Sequence, residues 1–168
     1  MKPIVSIIMG SMSDLPVMEK ACKLLNELRV PFEVNALSAH RTPKDVEDFA
    51  LNAQSRGIRV IIAGAGMSAA LPGVIAANTI IPVIGVPIKG MLDGLDALLS
   101  IVQMPPGIPV ATVGVNAAQN AAILAIEILA THNEELADRL WEYKKGLAKK
   151  VENANQELAG LSYDYKTN

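Results

Sequence analysis

Short β-branched runs alternate with longer stretches whose apolar residues recur at helical spacing, from the first residues almost to the last. Pro3-Ile-Val-Ser-Ile-Ile-Met9, closed by Gly10, has the length and content of a buried strand. Ser11-Met-Ser-Asp14 and Pro16 then supply the capping side chains and early proline of a helix start. Met18, Ala21, Cys22, Leu24, Leu25 and Leu28 form that helix's apolar stripe, so Cys22 reads as core, and Pro31 ends it. Phe32–Leu37 predicts a second strand. In Thr42-Pro-Lys-Asp45, Thr42 reads as a cap, Pro43 occupies the first turn, and Asp45 favours the positive helix end. Val46, Phe49, Ala50 and Ala53 continue at helical spacing toward a stop at Gly57. Ile58–Ala63 predicts the third strand, followed by a glycine turn, Gly64-Ala-Gly66, and a helix toward Asn78. Pro82–Val86 and Pro109–Val115 predict two further strands, with a helix near Asp93–Val102 between them.

From Ala117 the pattern is helical to about Ala159, interrupted at Thr131-His-Asn133, where His132 reads as a cap. In the last helix Leu136, Leu140, Tyr143, Leu147, Val151 and Leu158 mark one face, with Lys144, Lys145, Lys149 and Lys150 largely opposite. Such a stripe suits packing on its own domain or on a neighbouring subunit, and does not choose between them.

Strands alternating with helices imply an α/β fold: a three-layer, doubly wound, flavodoxin-like parallel sheet with an extended C-terminal helix. The 168 residues read as one domain, with an α/β core over 1–132, a helix over 133–160 and a tail over 161–168. Ligands of such folds sit beyond the carboxyl ends of the strands, which singles out the loops after the first three.

Composition narrows the function classes. Hydrophobic residues make up 51% and aromatics only 4%, so the excess is aliphatic, which suits parallel strands covered on both faces and broad subunit contacts. A net charge of −2 lacks the basic excess of a nucleic-acid binder. The apolar stretches Val60–Met67 and Ala76–Ile88 are broken well before the ~18–20 residues of a membrane span. No signal-peptide pattern opens the chain, and the lone Cys22 fits a reducing compartment, so a cytoplasmic location is expected. His40 and His132 are far apart and no Cys or His cluster has ligand spacing, so no metal is expected.

The candidate chemistry lies in three loops. Gly10-Ser-Met-Ser-Asp14 reads first as a plain helix cap. It also suits a phosphate cradle, with Ser11 donating and Asp14 accepting from ribose hydroxyls. In Ser38-Ala-His-Arg-Thr42, Arg41 suits forked phosphate binding and His40 suits proton exchange near neutral pH. Gly64-Ala-Gly-Met-Ser-Ala69 matches G-x-G-x-x-A, but no acid follows ~20 positions on to hold a dinucleotide ribose. A glycine-rich backbone lying over a flat ring is equally compatible.

Together, Met9–Asp14, Ser38–Pro43, Ile62–Gly66 with Leu71-Pro-Gly73, and Leu95–Thr112 resemble the PurE family of carboxyaminoimidazole ribonucleotide mutases over nearly the whole chain. The resemblance implies a homo-octamer whose C-terminal helix contributes to subunit contacts. It also implies purine biosynthesis without cofactor or metal, with a ribonucleotide substrate and bound carbon dioxide as intermediate. By matching position, Ser11, Ser38 and Arg41 would hold phosphate, Asp14 the ribose, and His40 would move the proton. Mutases of the family usually carry His and Gly where this chain has Ala70 and Met67, and Gly66–Leu71 is nearer in type to the branch that carboxylates the free amine directly. Arg41 and Gln103–Pro109 side with the mutases, which makes the mutase the first expectation and the direct carboxylase the alternative. A non-catalytic nucleotide-binding module on the same fold would keep Ser11, Asp14 and Arg41 and have no use for His40.

Overall fold

Alternation within the first strand sets the two faces of the sheet. In β1 (Val5–Met9), Val5, Ile7 and Met9 enter one apolar layer and Ile8 the other. The computed structural model describes residues 1–168 and pairs β1 in parallel with both β2 (Phe32–Ala36) and β3 (Val60–Gly66). β4 (Val83–Ile88) and β5 (Ala111–Thr112) complete a five-stranded sheet in the order β2-β1-β3-β4-β5, all parallel. This is the flavodoxin-like order, with its topological switch between β1 and β3.

Helices α1 (Leu15–Glu27), α5 (Ala118–Ala130) and α6 (Glu134–Ala159) cover one face through Met18, Leu25, Ala121, Ile126 and Leu136. Helices α2 (Pro43–Ala53), α3 (Leu71–Ala77) and α4 (Leu95–Val102) cover the other through Val46, Ala50, Ile75 and Ile101. The expected three-layer architecture is therefore present. β3 and β4 are buried almost throughout, which is why their residues read as continuous apolar runs.

Edge strand β2 is tied down by charge. Buried Ser6 donates to Glu33 Oε1 at 2.9 Å, and Arg56 grips the same carboxylate with Nη2 at 2.6 Å and Nη1 at 3.2 Å. The Arg56 guanidinium also lies 5.1 Å above the Phe49 ring. At the far edge β5 is only two residues long, shorter than the expected Pro109–Val115. Pro109 lacks an amide donor, so the ladder cannot start there, and the last bond of the run is the Val113 amide donating to the Gly85 carbonyl at 3.2 Å.

Three other expectations are corrected. Gly64-Ala-Gly66 is no turn but the end of β3, paired with Val86–Ile88 of β4. Gly64 is explained by packing, since a Cβ there would meet the Met18 sulfur at 2.4 Å. Thr42 precedes α2 without capping it by its side chain. α6 is capped not by His132 but by Asn133, whose side chain accepts from the Leu136 amide at 3.0 Å.

The base of α6 is anchored by Leu136, Leu140 and Arg139, whose guanidinium donates to the carbonyls of Leu28 and Arg29 at the end of α1. Beyond Tyr143 the apolar stripe runs free, with Leu147, Val151 and Leu158 exposed.

Gly85 in β4 allows the closest approach of α4 to the sheet: a Cβ would meet Ile101 Cγ2 at 2.3 Å and Val110 Cγ1 at 3.2 Å. Both neighbours are β-branched and cannot swing aside. Gly85→Ala is expected to destabilise the fold by ~1–3 kcal/mol, read as a lower denaturation midpoint at unchanged m-value.

Candidate active site

Because β1 pairs Met9 with both Ala36 and Gly64, β1 and β2 end at one level and β3 two residues further on, and their loops leave the sheet side by side. The loops after β1 and β2 are cross-tied. Arg41 Nη2 donates to the Gly10 carbonyl at 2.5 Å, while its amide and Nε reach Ser38 Oγ at 3.2 and 3.3 Å. Thr42 Oγ1 closes the second loop on itself, accepting from the Ser38 amide at 3.1 Å and donating to the Ser38 carbonyl at 3.3 Å. That bracing replaces the helix cap expected of Thr42. It holds Ser38, His40 and Arg41 on one tight turn.

The first loop tightens into a single 3-10 turn, Met12–Asp14, in which Ser11 Oγ accepts from the Ser13 amide at 3.3 Å. Ser11 thus caps this turn, while α1 itself starts after Asp14 without the side-chain cap expected there. Asp14 follows, its carboxylate 3.5 Å from the Ser13 hydroxyl. Burial pushes the Asp14 carboxyl above its ordinary value, against donors at Ser11, Ser13 and Gly10 and the charge of Arg41, which all pull it down. The net direction is upward, because burial outweighs them.

These loops enclose a cleft of about 500 Å³, within the ordinary range for small-molecule sites. Ser11, Asp14, Ser38, His40 and Arg41 all line it, so all five residues singled out from the sequence converge. His40 lies exposed on its turn at the cleft wall. The opposite wall is apolar, built from Ala65, Ala69, Leu71 and Ile88, and it includes Met67 and Ala70. Met67 adopts a left-handed backbone (φ 55°) and is 64% exposed at the rim. Ser13, Ser68, Lys89 and Gly90 also reach the cleft and were not singled out. Lys89 had a legible signal, for it immediately follows the apolar run of β4 and so stands at another carboxyl end.

A switch-point cleft with hydroxyls and a guanidinium on one side and small apolar side chains on the other defines a small-molecule-binding, flavodoxin-like α/β protein. More narrowly, the chain belongs to the AIR carboxylase family, whose model matches residues 4–150. It is 54% identical over 164 residues to the N5-carboxyaminoimidazole ribonucleotide mutase of Pyrococcus horikoshii, covering 97% of this chain and 93% of that protein. It is 52% identical over 164 residues to the phosphoribosylaminoimidazole carboxylase of Candida glabrata, covering 97% of this chain but 29% of that protein. The crystal structure of Treponema denticola PurE superposes with a TM-score of 0.84 at 30% identity, covering 93% of this chain and 98% of that one. The PurE resemblance carried by the four motifs is thereby upheld.

The raised Asp14 pKa makes a signed prediction. Above about pH 4 an unfolded Asp is charged, whereas the folded chain resists that charge, so Asp14 lowers stability as pH rises from there. Asp14→Asn removes the cost. The variant is expected to melt above wild type at pH 7, with the gap closing as pH falls toward about 4, in paired thermal melts.

Proposed function

We propose that this chain interconverts N5-carboxyaminoimidazole ribonucleotide and 4-carboxy-5-aminoimidazole ribonucleotide, a step of purine biosynthesis. The observation that carries the reading is coverage: the mutase relative is matched along 93% of its length, the carboxylase relative along only 29%. The convergence of Ser11, Asp14, Ser38, His40 and Arg41 on one cleft supports it further.

Arg41, with Ser11 and Ser38, takes the phosphate, and Asp14 accepts from the ribose hydroxyls. The base then lies against Ala65, Ala69, Ala70 and Leu71. His40 donates its proton to the carbamate nitrogen, the N–C bond breaks, and carbon dioxide and the neutral amine form. Ring carbon 4 attacks the confined carbon dioxide, which makes the new C–C bond and leaves a proton on that carbon. The His40 imidazole takes that proton and the ring regains its aromaticity. One side chain gives and then recovers one proton, so the cycle closes without another acid or base. The side chains of Ala65, Ala69, Ala70 and Leu71 contribute by surrounding carbon dioxide with apolar groups that do not react with it.

Direct carboxylation of the free amine is the second reading, favoured by Met67–Ala70 in that wall and by the name of the yeast relative. We also propose a homo-octamer in the cytoplasm. Supporting self-association are the exposed Leu95, Leu99 and Val102 along α4, and Leu147, Val151 and Leu158 along α6. No helix is long and apolar enough to cross a membrane.

The origin of the carboxyl carbon separates the readings. With labelled carbamate in unlabelled bicarbonate, the mutase keeps most label in the early product. Complete washout, with saturable turnover of the free amine, means the carboxylase. Separately, His40→Asn is expected to fold and bind nucleotide while losing about 10²–10⁴ in rate, measured in both directions. Near wild-type turnover would remove His40 from the mechanism.

A further inference from the structure

The proposed substrate has two anionic ends, a phosphate and a carboxyl group. The cleft is lined by two basic side chains, Arg41 and Lys89. The Arg41 guanidinium is fixed on the Gly10 carbonyl, at the end of β1. Lys89 follows the last residue of β4, two strands further along the sheet. At ~4.8 Å per strand the two stand about 10 Å apart at their base. That is roughly the reach of a ribonucleotide from its phosphate to the far edge of a small base.

The backbone around Lys89 is built with care. Its amide donates to Asn116 Oδ1 at 2.9 Å, and the Asn116 amide donates to the Pro87 carbonyl at 2.8 Å, so the start of the loop is pinned beside β5. Asn116 is itself left-handed (φ 58°). Leu92, Asp93 and Gly94 are left-handed in succession (φ 49°, 54° and 88°), a conformation costly for the two that are not glycine. The curl brings Asp93 Oδ1 back to Lys89 Nζ at 2.9 Å. Both partners face water, at 57% and 88% side-chain exposure, so this ion pair contributes little to the fold. A backbone strained to make a weak pair is not explained by stability. It is explained if Asp93 keeps the ammonium extended at the cleft rim until a ligand carboxylate replaces it.

We propose that Lys89 holds the carboxyl group of the substrate and makes the cleft select carboxylated over uncarboxylated ribonucleotide. The inference rests on the mutase reading and deepens it. Arg41 anchors the end that never changes. Lys89 meets the carboxylate at the end that does, and Asp93 receives the ammonium back when carbon dioxide is free.

Titration calorimetry on the full chain tests this with two ligands, the 4-carboxylated ribonucleotide and the same nucleotide without its carboxyl group. Lys89→Met is expected to weaken the carboxylated ligand roughly tenfold and the other less than about twofold, with Lys89→Arg restoring most of the loss. Asp93→Asn frees the ammonium and is expected to leave carboxylated affinity equal or tighter. Equal losses for both ligands in Lys89→Met overturn the assignment and leave the mutase reading standing. So does a loss in Asp93→Asn as large as in Lys89→Met, which makes the pair structural. Wild-type chain that binds neither nucleotide overturns the mutase reading, and Lys89 with it.

Discussion

Parallel pairing of β1 with both β2 and β3 is the constraint from which the cleft follows. Met9 stands opposite Ala36 on one side and Gly64 on the other, so β1 and β2 leave the sheet at the same height and β3 two residues beyond. Residues from positions 10–14, 38–42 and 65–71 meet only because that register holds. A slip of one residue in β1 would turn Ile7 and Met9 out of their layer and carry Gly10–Asp14 away from Arg41. Ser6, Glu33 and Arg56 guard against it at the edge strand, where a buried hydroxyl and a forked ion pair reward a single alignment.

The small residues of the sheet serve the same end. Gly64 makes room for Met18 and Gly85 for Ile101, which lets a helix on each face approach the backbone closely. Their cost is local flexibility in strands, and the ladder on both sides removes it. The two faces then hold the loops that leave the sheet. Those loops carry what is energetically unfavourable in the free chain: the desolvated Asp14, the left-handed Met67, and the curl at Leu92–Gly94. Their clustering at one end of the sheet agrees with a site shaped for a ligand that offsets those costs when it arrives.

At the opposite extreme, α6 holds to its own chain only through its first turns. Arg139 and Leu140 fasten it, and past Tyr143 an apolar stripe continues into solvent without a partner in the same chain. The aliphatic-rich composition therefore divides into a core that this chain closes by itself and a surface that it does not.

Alternation of short strands with periodic helices determined the layers, the element order and the suspect loops, because period and capping are local properties. Ser11, Asp14, Ser38, His40 and Arg41 were legible for the same reason: each sits where a strand ends and a helix begins. What tertiary structure alone decided is how far each element runs and what it touches. β3 continues through Gly64–Gly66 because β4 pairs with it there, and glycines that signal a turn locally are packing gaps in the sheet. Thr42 braces Ser38 instead of capping α2, since its hydroxyl finds two better-placed partners across the turn. Lys89 is legible as the residue after a strand, but only the placing of β4 next to β3 brings it to this cleft.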